Sequence, residues 1–204
     1  MGPGTVTVPA GSAATLDCPG LSGVTVVNDG TLAAQGCGSV EFTNSAVLDN
    51  HGTITLADNT VLNTNDASSQ LINQAAGTIT YNGTTSGQAT IAVPLTDSGT
   101  IHAGGGTLNI AGPYTPAGTA SLTIDISGHT AHGEVAVTGT ARMAGTLNLQ
   151  TASTYLPPVG TTITIVSASK RTGTFSKITG TSLPGEHWFV SYKSTQVTLK
   201  AVSG

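Results

Sequence analysis

The sequence is poor in most of what a compact globular enzyme is built from. Charged residues make up 8% of its 204 positions and aromatics 4%. So few rings cannot fill a wide core, whereas a narrow stack of Val, Ile, Leu and Ala needs few of them. Between Met1 and Ala141 there is no Lys or Arg. All six basic residues (Arg142, Lys170, Arg171, Lys177, Lys193, Lys200) come later, while nine of the ten acids precede them. A nucleic-acid groove or a site for an acidic polysaccharide needs clustered cations, so the first two thirds can hold neither. No stretch repeats apolar residues at i, i+3, i+4 and i+7 over three turns, so no helix is predicted. A phosphate-cradling loop needs a helix behind it, and no G-x-S-x-G elbow is present; no cofactor is expected. Signal-peptide, transmembrane and barrel-strand patterns are also missing, so membrane insertion is not expected. The opening Met1-Gly2-Pro3-Gly4 reads as an expression start on a fragment of a longer exported protein, and the chain as a monomer or part of one.

Cysteine is nearly absent too. Cys18 and Cys37 lack the C-x-x-C spacing of a zinc site. They are read as a disulfide that points to an oxidising compartment and contributes about 3 kcal/mol. Two unpaired buried thiols are the alternative.

What the chain does have is threonine, its commonest residue, and 27 glycines. Thr and Val are stiff at χ1 and suit a pleated surface. Four segments share one phrase: VVNDGTL (26–32), VLDNHGTI (47–54), LINQAAGTI (71–79) and PLTDSGTI (94–101). Their glycines, Gly30, Gly52, Gly77 and Gly99, recur roughly every 22–25 residues, a period in the range of solenoid repeats. GTVTV (4–8) is read as the same series one coil earlier. After each Gly, aliphatic and Thr residues alternate with the period of a strand that has one apolar face. SVEFT (39–43), TVLNT (60–64) and ATIAV (89–93) supply a second strand, and the run into Asn or Asp a third. Three short strands and three corners per repeat describe a right-handed parallel β-helix, all-β, whose coils stack about 4.8 Å apart. Asn28, Asn50 and Asp97 occupy equivalent corners and predict a polar ladder. Cys18 and Cys37 fall about one coil apart, which agrees with their pairing.

Beyond residue 104 the pattern changes. GGTLNIAGPYTPAGTASLTIDISG (105–128) is echoed by AGTLNLQTASTYLPPVGTTITIVSAS (144–169), and HWFVSYK-STQ-VTLKAV (187–202) reads as a closing β-hairpin. The expected organisation is one continuous domain, with solenoid coils over 1–103 and further solenoid plus a C-terminal hairpin cap over 104–204. Trp188, Phe189, Tyr192 and Phe175, with Lys177, Glu186 and Lys193, are assigned to that cap, since an open solenoid end invites association. A ligand platform of exposed aromatics is the alternative.

Residues 100–203 resemble the C-terminal passenger region of autotransporter-like bacterial surface β-helix proteins. The likeness rests on the order of Val-x-Gly at Gly139, Gly-Thr-Leu at Gly145 and Leu147, Tyr155 with Pro157, Gly160, Gly173 with Phe175, and a Tyr192…Val197-x-Leu199 hairpin. Where such relatives often carry Tyr-Asp, this chain has Gly133-Glu134. The resemblance implies a secreted or cell-surface structural or adhesive module whose partner is a host or environmental glycan or a protein surface.

Candidate chemistry is sparse. His129, His132 and Glu134 are the best metal candidate, and only a loop could make all three converge. A polysaccharide hydrolase needs carboxylates within roughly 5–10 Å of each other. Asp49, Asp58, Asp66 and Asp97 lie at different points around the coil and read as corner residues, so no catalysis is expected. The remaining alternatives are a carbohydrate-binding or polysaccharide-degrading β-helix, and ice binding through Thr53, Thr55, Thr78 and Thr80. Ala33 and His102 interrupt that Thr-x-Thr row.

Overall fold

The computed structural model describes residues 4–18, 20–35 and 38–204. It is all-β, with no helix among the described residues, and its stacked parallel sheets form a β-solenoid of about 7 turns. The first coil is β1 (Gly4–Val8), β2 (Ala13–Leu16) and β3 (Gly20–Ser22). The second is β4 (Val24–Asn28), β5 (Thr31–Ala34) and β6 (Ser39–Thr43), and the third β7 (Val47–Asn50), β8 (Thr53–Leu56) and β9 (Val61–Thr64). The fourth is β10 (Gln70–Asn73), β11 (Thr78–Asn82) and β12 (Gln88–Ile91). Each strand pairs in parallel with its counterpart one coil away, giving three faces, called A, B and C in chain order.

One face of each strand is apolar because the residues alternate. On face B the inward column includes Leu32, Ile54, Ile79, Ile101 and Leu147, all buried. Each such side chain contributes about 1.5–3 kcal/mol by leaving water. Inserted residues fall at corners and leave the register of the strands intact, which is how shorter and longer repeats share one lattice.

At the A–B corner stands the predicted ladder, one rung longer than expected. Asn28 Nδ2 donates to Asn50 Oδ1 (2.7 Å), Asn50 Nδ2 to Asn73 Oδ1 (2.8 Å) and Asn73 Nδ2 to Asp97 Oδ1 (2.8 Å). All four residues are buried. The amides point one way, and such aligned chains strengthen each link. Below Asn28 the partner position is Val8, which offers no donor, so Asn28 Oδ1 is buried without a partner. Above Asp97 the partner is Pro116, which has no N–H. A carboxylate, which only accepts, therefore closes the series.

The upper part is built differently. β13 (Leu95–Asp97) pairs with β15 (Tyr114–Pro116), the last strand of face A. β14 (Thr100–Ile110) belongs to two faces, pairing through Thr100–Ala103 on B and Gly106–Ile110 on C. The boundary expected at 103/104 falls inside this strand. β16 (Ser121–Ile126) and β18 (Thr146–Thr151) continue face B, and the 11-residue β17 (Gly133–Met143) and 12-residue β19 (Thr162–Gly173) continue face C. β20 (Lys177–Thr179) is the last strand of B. β21 (Ser182–Leu183), β22 (Glu186–Tyr192) and β23 (Gln196–Ser203) then close face C with antiparallel pairing, β23 lying against β19. This is the hairpin cap.

Trp188 anchors it, buried, with its indole N–H donating to Thr151 Oγ1 at 2.9 Å. Phe175 and Tyr192 pack with ring centroids 6.4 Å apart, and the Arg171 guanidinium lies 5.2 Å from the Tyr192 centroid. Phe189 remains 56% exposed, so one of the four aromatics assigned to the cap faces solvent.

Two expectations about the repeat need correction. GTVTV is not the Gly-Thr-x-Thr strand of an earlier coil. Its Thr5 and Thr7 lie on face A, opposite Thr25 and Val27, and the face-B strand of that coil is β2. The echo between 105–128 and 144–169 is displaced by one face, because Thr107–Ile110 lies on C and Thr146–Leu149 on B. Gly-Thr-aliphatic suits any of these strands, so the words alone do not say which face they occupy.

Candidate functional site

Three features bear on function: the hydroxyl columns of face B, the scattered acids, and a cleft on face C. On face B, Thr53 pairs with Thr78 and Thr55 with Thr80. The columns run further than the sequence suggests. One holds Thr31, Thr53, Thr78, Thr100, Ser121 and Thr146; the other Thr15, Ala33, Thr55, Thr80, His102, Thr123 and Asn148. Ala33 and His102 do stand in the second column, and His102 Nε2 lies 2.9 Å from Asp125 Oδ1. Neighbours in a column are about 4.8 Å apart and the columns about 6.6 Å apart along the strand.

The acids do not converge; each is held by its own partners. Asp58 accepts from the Tyr81 hydroxyl (2.6 Å) and from Thr84 Oγ1 (2.9 Å), and these bonds, Tyr81's first, hold its carboxyl below the usual range. Burial, and then Asp58, push the Tyr81 phenol up. Asp66 accepts from the Ser45 and Ser68 backbone N–H groups and Ser69 Oγ, and the Ser45 bond leads in lowering it to about 2. Asp97 is raised because burial outweighs the bonds from Asn73, Gly99 and Tyr114. Asp49 accepts from Gln74 Nε2 at 2.7 Å. Asp58, Asp66 and Asp97 are corner residues with internal partners, whereas Asp49, expected at a corner, stands outward within β7 on face A.

The loop between β16 and β17 overhangs the outer side of face C and forms a cleft of about 380 Å³ there, of mixed polar and apolar lining. His129, His132 and Glu134 all line it. They do not form a metal centre, and among the described residues no three His, Cys, Asp or Glu side chains are grouped to hold an ion. His132 Nε2 faces the Thr164 carbonyl at 3.1 Å and so carries the proton, while Nδ1 is buried without a partner. Neither nitrogen offers a lone pair to the open cleft. Glu134 Oε1 accepts from Ser167 Oγ at 2.6 Å. Thr107, Thr162 and Thr164 complete the cleft from strands distant in sequence, and no local motif announced them.

Cys18 lies at the turn before β3, and Cys37 lies outside the described residues. No helix among the described residues is long and apolar enough to cross a membrane. No protein-family model matches the chain, and no curated protein shows significant similarity to it.

Proposed function

We propose that this chain is a non-catalytic structural and adhesive β-solenoid module of a secreted or cell-surface bacterial protein, akin to an autotransporter passenger. The observation that carries this reading is a contrast between the outward surfaces and the acids. In-register columns made mostly of Thr and Ser run along face B, interrupted by Ala33, His102 and Asn148, while Asp58, Asp66 and Asp97 are each held by internal hydrogen bonds in separate corners. A rod of this kind presents repeated weak contacts along its length, and repetition raises avidity without any strong single site. A Cys18–Cys37 bridge belongs to the same reading, as an oxidising compartment permits it. The partner is a host or environmental glycan or a protein surface. Glycan-array binding followed by product analysis tests the proposal. Binding with no shortened product is expected, and time-dependent release of product would overturn it.

The continuation of the Thr columns over successive coils favours one second reading, recognition of the ordered water lattice of ice by face B. Thermal hysteresis that Thr53→Tyr and Thr78→Tyr abolish is its expected signature. Hysteresis that survives both substitutions would rule out that face.

A further inference from the structure

The geometry points to the cleft on face C as a binding site for a neutral saccharide unit. This rests on the adhesive reading and supplies it with a defined pocket. A volume of about 380 Å³ lies within the roughly 300–1,000 Å³ of small-ligand sites. Its chemistry is that of a polyol partner. Thr107, Thr162 and Thr164 are hydroxyl-bearing residues of the wall, and hydroxyls both donate and accept. Glu134 is the one formally charged residue of the lining. Its Oε1 is held by Ser167, and its other oxygen has no protein partner among the described residues. A carboxylate oriented in this way accepts from sugar hydroxyls, and such charge-assisted bonds are about twice as strong as neutral ones.

The same carboxylate selects against anionic sugars. No Lys or Arg lines the cleft, so a uronate or sulfate would meet repulsion with nothing to offset it. The overhanging loop is fixed from below, because His132 donates to the Thr164 carbonyl and thereby ties the loop to β19. The bulk of the site therefore stands ready without a ligand, and the exposed His129 at the loop's tip can lie across a bound ring.

The test is an NMR titration of the full chain with glucose, galactose, mannose, N-acetylglucosamine and their β-1,4-linked disaccharides, alongside glucuronate. At least one neutral sugar should shift the His129 imidazole and Thr107 amide signals saturably, and glucuronate should bind at least about tenfold more weakly. Glu134→Gln keeps an oxygen for Ser167 but loses the charge, and should weaken binding about tenfold. Thr107→Tyr, on the outer side of its strand, fills the cleft and should abolish binding; Thr130→Tyr on the exposed loop does so without touching a strand. The site is overturned if no neutral sugar moves these signals, or if all three variants bind as the parent does. Retention of the chain on insoluble glycan particles is read separately. Retention that Thr107→Tyr leaves unchanged removes the cleft and keeps the adhesive reading. Saturable sugar binding without retention keeps the cleft and removes adhesion.

Discussion

The lower coils and the upper part of this molecule solve the same problem by different means. From β1 to β12 every rung has three short strands, and the A–B corner is tied by the Asn28–Asn50–Asn73–Asp97 ladder. Above β15 the separate sheet of face A ends, the ladder has ended, and the long strands β17 and β19 stay paired with each other past a register shift between Val137 and Thr140. Cohesion there passes to aromatic packing and antiparallel pairing around Trp188. All six basic residues lie in this upper part. A repeating rod can be held by one polar device copied rung by rung, whereas its end needs a different, larger and less periodic contact.

The comparison is broken most severely at the anchor of the cap. Trp188→Ala should cost about 3–5 kcal/mol, from the cavity it leaves, with Thr151 also losing a partner. Hydrogen exchange should then rise first in β19, β22 and β23, and a uniform rise through β7 and β10 would contradict the division. Reduction of the proposed Cys18–Cys37 bridge acts at the opposite end. It should lower stability by about 3 kcal/mol in the chain-entropy account, read as a difference in denaturant midpoint between oxidised and reduced protein. No difference would count against the bridge.

Asn50→Leu sharpens the contrast within the lower coils. It leaves Asn28 Nδ2 and Asn73 Oδ1 without their ladder partner, at roughly 2–3 kcal/mol in all. Gln150→Leu, an exposed outward position on face B above the ladder, should change stability by no more than about 0.5 kcal/mol. Equal effects from the two substitutions would mean the ladder contributes nothing special.

The smallest effect is one of pH. The folded carboxyl of Asp66 lies at about 2 against an ordinary 3.8, so its contribution is present above pH 3.8 and is lost as pH falls toward 2. Asp97 runs the other way. Its raised value means that the folded state binds the proton more readily, so its contribution is full below pH 3.8 and is lost as pH rises through the folded value. Asp66→Asn should flatten the acid limb of a melting-temperature profile, while the effect of Asp97→Asn should grow or shrink in the opposite sense across that range. Profiles that stay parallel to the parent's would contradict both assignments.

How much of this was legible in the sequence follows the same division. The Gly-Thr-aliphatic phrase recurs at near-constant spacing because each coil needs an inward aliphatic and an outward Thr at the same place, so the solenoid could be read directly. Asn73 was readable as well, since LINQAAGTI merely sets Gln74-Ala75-Ala76 between Asn and Gly-Thr where VLDNHGTI sets His51 alone. Above residue 104 the phrases persist but change face, because a strand's pattern records which side is buried and not which sheet it joins. The cleft was half visible. His129, His132 and Glu134 are close together in the chain, but Thr107 and Thr162 reach it only through the stacking of rungs.

That stacking is the claim on which the hydroxyl columns, the ladder and the cleft all depend. Methyl NOE spectroscopy on selectively labelled Ile and Leu reads it directly. The account predicts an unbroken series of contacts from Leu32 to Ile54, Ile79, Ile101, Leu122 and Leu147, each linked only to the rung above and below. Cross-peaks that skip rungs, or a series that breaks within the lower coils, would contradict it.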